Sequence, residues 1–373
     1  MTAAYLDRDL QSLADDRQTV VVCGRNRVDG PLVLTRDGSR VMFDGGVQNC
    51  LHFETSNLLG NTAALIGDGL LLDIQGAGAC IEGGINLIGL TKDAPPWPEI
   101  DHKKLPKLAV QIRGAGGEKG MPWGLDNGAS HFGPMFIGGF QRGIQFGTGL
   151  DENNADNCHF SYIACSHVDN LVCFKNRQSV SNTFLHIRQF ADGTQAEQRA
   201  FELLRFEAGG KCLVSHAEIN NGLVCRAIRS DWNTGFAKIE TLSTDPAGGN
   251  AFRLFDGSPS SGDSPCPFSF SIGEIWNGID WREPVETAGW MIDAYAGQHI
   301  AINGGGLLEA RNGPSIRLRG TKAERATLVF QNVKFDAADT PEKMISDESK
   351  NYSVRIENCR DRRGAFFSRT VTK

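Results

Sequence analysis

The sequence predicts an all-β chain wound as a parallel β-solenoid, and three observations carry that prediction. A two-part unit of short strands recurs from residue 158 with a period of roughly 23–34 residues, the length of one solenoid coil. Gly and Asn punctuate the strands, and 44 of the 373 residues are Gly, which suits corners that need positive φ. Finally, no window of the second half sustains a helical i, i+3, i+4, i+7 pattern, because Gly and Asn interrupt it.

Residues 1–20 hold the one helix candidate. Leu6, Leu10 and Leu13 share a face among Asp7, Arg8, Asp9, Asp15 and Asp16, an amphipathic pattern. Two roles fit it: a cap on the open end of the solenoid, or a docking segment for a partner. The solenoid itself is expected over residues 21–360. Its first half holds strand-length segments such as TVVVCGRN, GPLVLTRDG, SRVMFDGG, AALIGDG, LLLDIQG, INLIGL and LAVQIRG. Two long loops, residues 91–106 and 114–133, interrupt them, and loops of that length on a regular scaffold commonly carry function or form interfaces.

In the second half the unit is clearest. Its first part reads as strands starting near His159, Thr183, Cys212, Gly235, Phe268, His299 and Thr327. Its second part reads as strands starting near Asn170, Phe201, Gly222, Ala251, Gly289, Ser315 and Tyr352. One coil cannot shield its own apolar face, so successive coils must stack, laying apolar side chains and asparagines over one another in ladders. Asn170, Gly193, Asn221-Gly222, Asn277-Gly278 and Gly304-Gly305 are the predicted corners. Residues 361–373, with Arg362, Arg363, Arg369 and Lys373 against Asp361, read as a solvated basic tail or a contact with an acidic neighbour.

Composition excludes several classes. With 40% hydrophobic and 22% charged residues the chain is neither disordered nor membrane-spanning, and no apolar run approaches the roughly 20 residues a spanning helix needs. A net charge of -6 argues against a nucleic-acid binder. MTAAYLDRDL lacks the features of a secretory signal, so the protein is expected to be made in the cytoplasm, or exported by something other than a cleaved signal. Ten cysteines occur: Cys23, Cys50, Cys80, Cys158, Cys165, Cys173, Cys212, Cys225, Cys266 and Cys359. None forms a CxxC pair or has zinc-finger spacing, so buried free thiols are expected, with pairing in an assembly as the alternative.

The helix candidate, the run GPLVLTRDGSRVMFDGG and irregular coils such as ACIEGGINLIGL and HIAINGGGLLEA together resemble the right-handed parallel β-helix proteins of the pectate-lyase-like superfamily. Within it they look most like the spikes and fibres of tailed bacteriophages. The resemblance is one of pattern and covers about residues 20 to 360. It implies a homotrimer in a virion, attached to other virion proteins through the N-terminal segment, that recognises bacterial surface polysaccharide and in some members cleaves it.

The catalytic motifs of the superfamily are missing. The one Asp-Asp pair is Asp15-Asp16, in the helix candidate. None of the eight histidines is followed by Gly, and neither a Ca²⁺-binding Asp cluster nor a nucleotide-binding Gly-rich loop is present. No cofactor or metal is expected. Glycoside hydrolysis needs two carboxylates about 5–9.5 Å apart, which neighbouring coils could supply. Glu274 and Asp280 are weak catalytic candidates. Trp276, Trp281 and Arg282, beside Glu283, have the composition of a sugar-stacking site, though loop packing or a subunit interface explains them as well. Asp151, Glu152 and Asp156 in DENNADN read as a solvated turn, and His186 and His216 as ladder-packed or hydrogen-bonded residues, with metal binding as the alternative. The expected function is therefore a non-enzymatic structural component of a phage-like particle; the alternative is a polysaccharide depolymerase.

Overall fold

The computed structural model describes residues 11, 19–47, 63–89, 102–113, 129–149, 155–176, 179–189, 200–220, 224–231, 235–245, 252–257, 269–276, 279–281, 290–304, 307–310, 315–319, 325–335, 344–346, 351–361 and 363–372. These residues are almost entirely β, and the strands pair in parallel over most of their length. Two compact units divide the chain, Met1–Gln195 and Ala196–Lys373, where the sequence pattern ran on through residues 21–360.

In the first unit the strands fall into three columns. Val20–Cys23, Arg40–Asp44, Cys80–Gly83, His131–Phe132 and His159–Phe160 pair in succession and end on Asn182–Gln189. Arg25–Arg27, Ala64–Gly67 and Ile85–Gly89 lead a second column, Leu32–Leu34, Leu72–Ile74 and Leu108–Ile112 a third. The longer strands Met135–Phe146 and Ile163–Phe174 each serve both of these columns. They turn from one to the other at Gly139 (φ 78°) and, on the neighbouring strand, at His167 (φ 56°). A Cβ on Gly139 would lie 2.6 Å from the Gly89 carbonyl oxygen, so close coil approach requires glycine there. Strands from successive stretches of sequence thus recur in the same columns, an arrangement consistent with a β-helix.

Period-2 alternation dictates what faces inward. Val20, Val41, Ile81, Phe132, Phe160 and Phe184 occupy successive positions of one row and are all buried. Their rings stack, Phe132 on Phe160 at 4.2 Å and Phe160 on Phe184 at 4.9 Å, and Phe146 on Phe174 at 4.9 Å. Phe146 also meets Phe160 edge-on at 6.1 Å. Offset-stacked and T-shaped geometries are those the ring quadrupole favours. The described end of the first long loop is tied down as well: Gln141 Nε2 donates to the carbonyls of Lys103 and Leu105.

Of the predicted N-terminal helix, residues 1–10 and 12–18 lie outside the described residues. Gln11 is described, and its side-chain amide donates to the Val33 carbonyl (3.0 Å) and accepts from the Val33 N–H (2.8 Å). On the same strand the Leu32 N–H and Leu34 carbonyl bond toward the next coil, so the Val33 groups lie along the outer edge. Gln11 occupies that edge as a neighbouring strand would.

In the second unit, Lys211–Asn220, Phe236–Asp245, Ser269–Trp276, His299–Asn303, Ala326–Gln331 and Tyr352–Arg360 pair in parallel in turn. They stack Ala237, Phe270, Ile300, Leu328 and Val354 in one buried row. Ala200–Phe206, Val224–Ser230, Phe252–Gly257, Ile292–Tyr295 and Ile316–Arg319 form another column. Ile279–Trp281, Leu307–Ala310 and Lys334–Phe335 form a third. The expected asparagine ladder is present: Asn358 Nδ2 donates to Asn332 Oδ1 at 2.7 Å and Asn332 Nδ2 to Asn303 Oδ1 at 3.0 Å.

Three local expectations are corrected. Tyr352–Arg360 does not continue the column of Ser315; it pairs with Ala326–Gln331, and Ile316 bridges instead to Ile345. Alternating apolar residues look alike in both columns, so hydrophobicity could not tell them apart. Asn170 is no corner but lies buried within Ile163–Phe174, the turn falling at His167. The basic terminal segment is not a free tail: Phe366–Thr372 pairs antiparallel with Tyr352–Arg360, and the Arg360 guanidinium lies 4.3 Å from the Phe366 ring. Gly304 has the predicted positive φ, 82°; Gly193, Asn221-Gly222, Asn277-Gly278 and Gly305 lie outside the described residues. Nor, among the described residues, is any helix long and apolar enough to cross a membrane.

Candidate functional site

The strongest concentration of chemistry lies on one column of the second unit. Leu204, Ile228, Phe255, Ile292 and Ile316 pair in sequence and are buried. The residue after each therefore forms an outer row: Arg205, Arg229, Asp256, Asp293 and Arg317. Beside it runs Glu202, Arg226 and Arg253. Parallel neighbours are only about 4.8 Å apart, so like charges in register repel unless a charge from another row intervenes.

Intervening charges are what the side chains provide. Glu202, 5% exposed, binds Arg226 at 2.8 Å, Arg229 at 3.1 Å and Arg205 at 3.6 Å. Asp231 joins Arg205 (2.8 Å) to Arg229 (2.9 Å), and Asp256 joins Arg226 (3.0 Å) to Arg253 (3.2 Å). Asp293 accepts from Arg317 Nε at 3.0 Å and from Arg319 at 2.7 Å. With Glu207, 3.2 Å from Arg205, six guanidinium groups face five carboxylates. Trp290 and Tyr295 border the network, 4.9 Å from the Arg317 guanidinium and 4.4 Å from that of Arg319, within cation–π range.

The electrostatics are uneven along the row. Burial opposes the charge of Arg229, yet hydrogen bonds and charges from Asp231 and Glu202 outweigh it and hold the guanidinium above its ordinary range. Arg253 is pushed down, by burial and then by the neighbouring Arg226. Asp293 is pushed up to about 6 by burial, against the fork of Arg317 and with the help of Asp256. Burial and Asp293 also raise the Tyr295 hydroxyl. Planar donors aimed outward from a rigid sheet, with aromatic faces at the border, can grip carboxylates or sulfates while the acidic groups accept from hydroxyls. Arg319 Nε is buried with no acceptor among the described residues.

The residues singled out from sequence lie elsewhere. Glu274 is exposed on Ser269–Trp276, in register with Thr241, and the Trp276 backbone lies opposite Ser243. Asp280 and Trp281 are in register with Glu309 and Ala310 in the third column, so Glu274 and Asp280 belong to different columns and Asp280 is placed beside Glu309. Arg282 and Glu283 lie outside the described residues, as do Asp151, Glu152, Trp123 and Trp232. Asp156 is not solvated: it is buried and its carboxylate accepts from the Val180 N–H at 2.7 Å. His186 belongs to the first unit, edge-on to Tyr162 at 5.2 Å, and His216 to the second, in register with Thr241. Among the described residues seven cysteines are thiols outside any disulfide, of which Cys158, Cys165, Cys173, Cys212 and Cys359 are buried; burial pushes Cys158 up to about 12.

The charged column was missed because its members come from five strands and each alone reads as one polar residue in an alternating strand. Aligning the repeated second parts, FELLRFE, VCRAIRS, FRLFDG, WMIDAY and SIRLRG, would have stacked them. No protein family, curated protein or solved structure matches the chain.

Proposed function

We propose that the chain is a non-enzymatic structural protein, a right-handed parallel β-helix with an N-terminal helical cap, that holds an acidic bacterial polysaccharide on the charged column of its second unit. In this reading it is a homotrimeric component of a phage-like virion, attached through its N-terminal segment; the virion setting rests on the sequence pattern of spikes and fibres. The observation that carries the binding role is the outer row from Arg205 to Arg317, with its excess of guanidinium groups. A repeating polymer of uronic acids meets a repeating row of donors, and screening by salt should weaken the contact.

Titration of Arg229→Gln and Arg319→Gln with a polyuronate tests this. A loss of affinity of about tenfold or more is expected for each, since a hydrogen bond to a charged group contributes about 1.5–3 kcal/mol and about 1.4 kcal/mol is tenfold. Equal binding of a neutral polymer, or unchanged affinity in both variants, would overturn it. Because the Asp293 carboxyl is raised to about 6, it is neutral below that pH and removes one negative charge from the face. Affinity for the polyanion is therefore expected to rise as pH falls from 7.5 to 5. The same raised value means that this group favours the folded state at low pH, an increment lost as pH rises through about 6.

One observation favours a second reading, depolymerisation. Asp256 and Asp293 are in register on neighbouring strands, and a raised acid beside a second carboxylate is the pattern of glycosidases. New reducing ends that vanish in Asp256→Asn and Asp293→Asn would establish it; binding without release supports the first reading.

A further inference from the structure

The charges of the column are not matched evenly along it. Glu202, Glu207 and Asp231 surround Arg205, Arg226 and Arg229, and Asp256 lies between Arg226 and Arg253. At the far end one carboxylate, Asp293, serves both Arg317 and Arg319. Arg317 takes it as a fork, donating through Nε and Nη2, while Arg319 donates only to Oδ2, at 2.7 Å. Arg319 has no other acceptor among the described residues, and its Nε is left with none, although a guanidinium carries five N–H donors. At 33% exposed it is also the most accessible of the six arginine side chains.

Register gives this end a definite shape. Asp293 stands opposite Arg317, and Tyr295 opposite Arg319. Ile292, Ala294, Ile316 and Leu318 are buried, so the other four residues form one outward patch, about 4.8 Å across the two strands and about 6.6 Å along them. The Arg319 guanidinium lies 4.4 Å from the Tyr295 ring and that of Arg317 4.9 Å from the Trp290 ring, and both rings are half-buried. Ile316–Arg319 is the last strand of the column among the described residues; beyond it Ile316 makes a single bridge to Ile345. The guanidinium row therefore stops beside two aromatic rings.

We infer that Arg317, Arg319, Trp290 and Tyr295 form a subsite for one hexuronate unit, which anchors the glycan at this end of the column. The inference rests on the acidic-glycan reading and adds that a free monosaccharide suffices. The planar donors of Arg319 that Asp293 leaves unused match a carboxylate. An aromatic ring packs against the apolar face of a sugar, and the Tyr295 hydroxyl can donate to a sugar hydroxyl. A neutral sugar offers the guanidinium no charge, and a small anion offers the rings no face, so neither should replace the uronate.

Titration of the intact chain with free galacturonate, followed by calorimetry and tryptophan fluorescence, tests the subsite, with galactose, acetate and polygalacturonate as the other arms. Galacturonate is expected to bind and to change the fluorescence, and the change should be absent in Trp290→Phe. Its affinity should fall by about tenfold or more in Arg319→Gln, the loss of a hydrogen bond to a charged group. Arg319→Lys keeps the charge without the planar fork and should also bind more weakly. Arg229→Gln, three strands away, should weaken the polymer and leave galacturonate unaffected. Polymer binding without galacturonate binding would overturn the subsite and leave the column reading standing; binding of neither would overturn both. Equal affinity for galactose or acetate, or a galacturonate affinity unchanged in both Arg319 variants, would also overturn the subsite.

Discussion

Glu202→Ala lowers the unfolding free energy of the second unit by about 3–5 kcal/mol, the cost of removing one partner from a buried ion pair. Its carboxylate lies within 2.8–3.6 Å of Arg226, Arg229 and Arg205. Truncation leaves those guanidinium groups facing one another across register positions only one strand apart. The magnitude exceeds that of an exposed pair because Glu202 is sealed from water, so solvent cannot replace what it supplied. Glu202→Gln keeps an acceptor oxygen and should cost less. Urea denaturation of the intact chain measures both, and a loss under about 1 kcal/mol for the alanine variant would mean that the network behaves as a solvated surface.

Phe160→Ala has an effect of similar size in the first unit, about 3–5 kcal/mol. Phe160 sits between Phe132 and Phe184, at 4.2 and 4.9 Å, with the edge of Phe146 at 6.1 Å. Neighbours held by the strand ladders above and below cannot slide into the space, so the cavity stays open. Each aromatic pair lost adds about 0.5–1.5 kcal/mol beyond area burial. Phe160→Leu refills much of the volume and should recover over half of the loss. A Phe160→Ala protein that unfolds at the urea concentration of the parent would contradict the stacked core.

What was legible in the sequence follows from how local each signal is. Val20–Cys23 alternates buried and exposed residues over four positions, and a period of 2 needs only those residues to be seen. Strands flanked by Gly, such as Leu72–Ile74, were equally plain. By contrast Met135–Phe146 and Ile163–Phe174 are buried on nearly every position, so alternation vanished and with it the turn at His167. The charged row depends on register between strands, which periodicity within one strand does not contain. Asp256 and Asp293, or Cys80 and His131, become neighbours only when the loops between their coils are given their lengths. The stretch from Glu274 to Glu283 stands out in the sequence by its composition, whereas Trp290 stands at the guanidinium row.

Covalent register mapping tests the stacked-coil account most directly. Ser271, Ala301 and Val329 follow one another on three adjacent parallel strands, each half-buried. Paired cysteines at 271 and 301, or at 301 and 329, should link under mild oxidation, because neighbouring strands lie about 4.8 Å apart and a disulfide spans Cα separations of about 4.4–6.8 Å. A pair at 271 and 329 skips one strand, roughly 9.6 Å, and should stay reduced. Links confined to the adjacent pairs, identified by peptide mass, are the predicted result; a link between 271 and 329 with none between 271 and 301 would contradict the stacking of these coils.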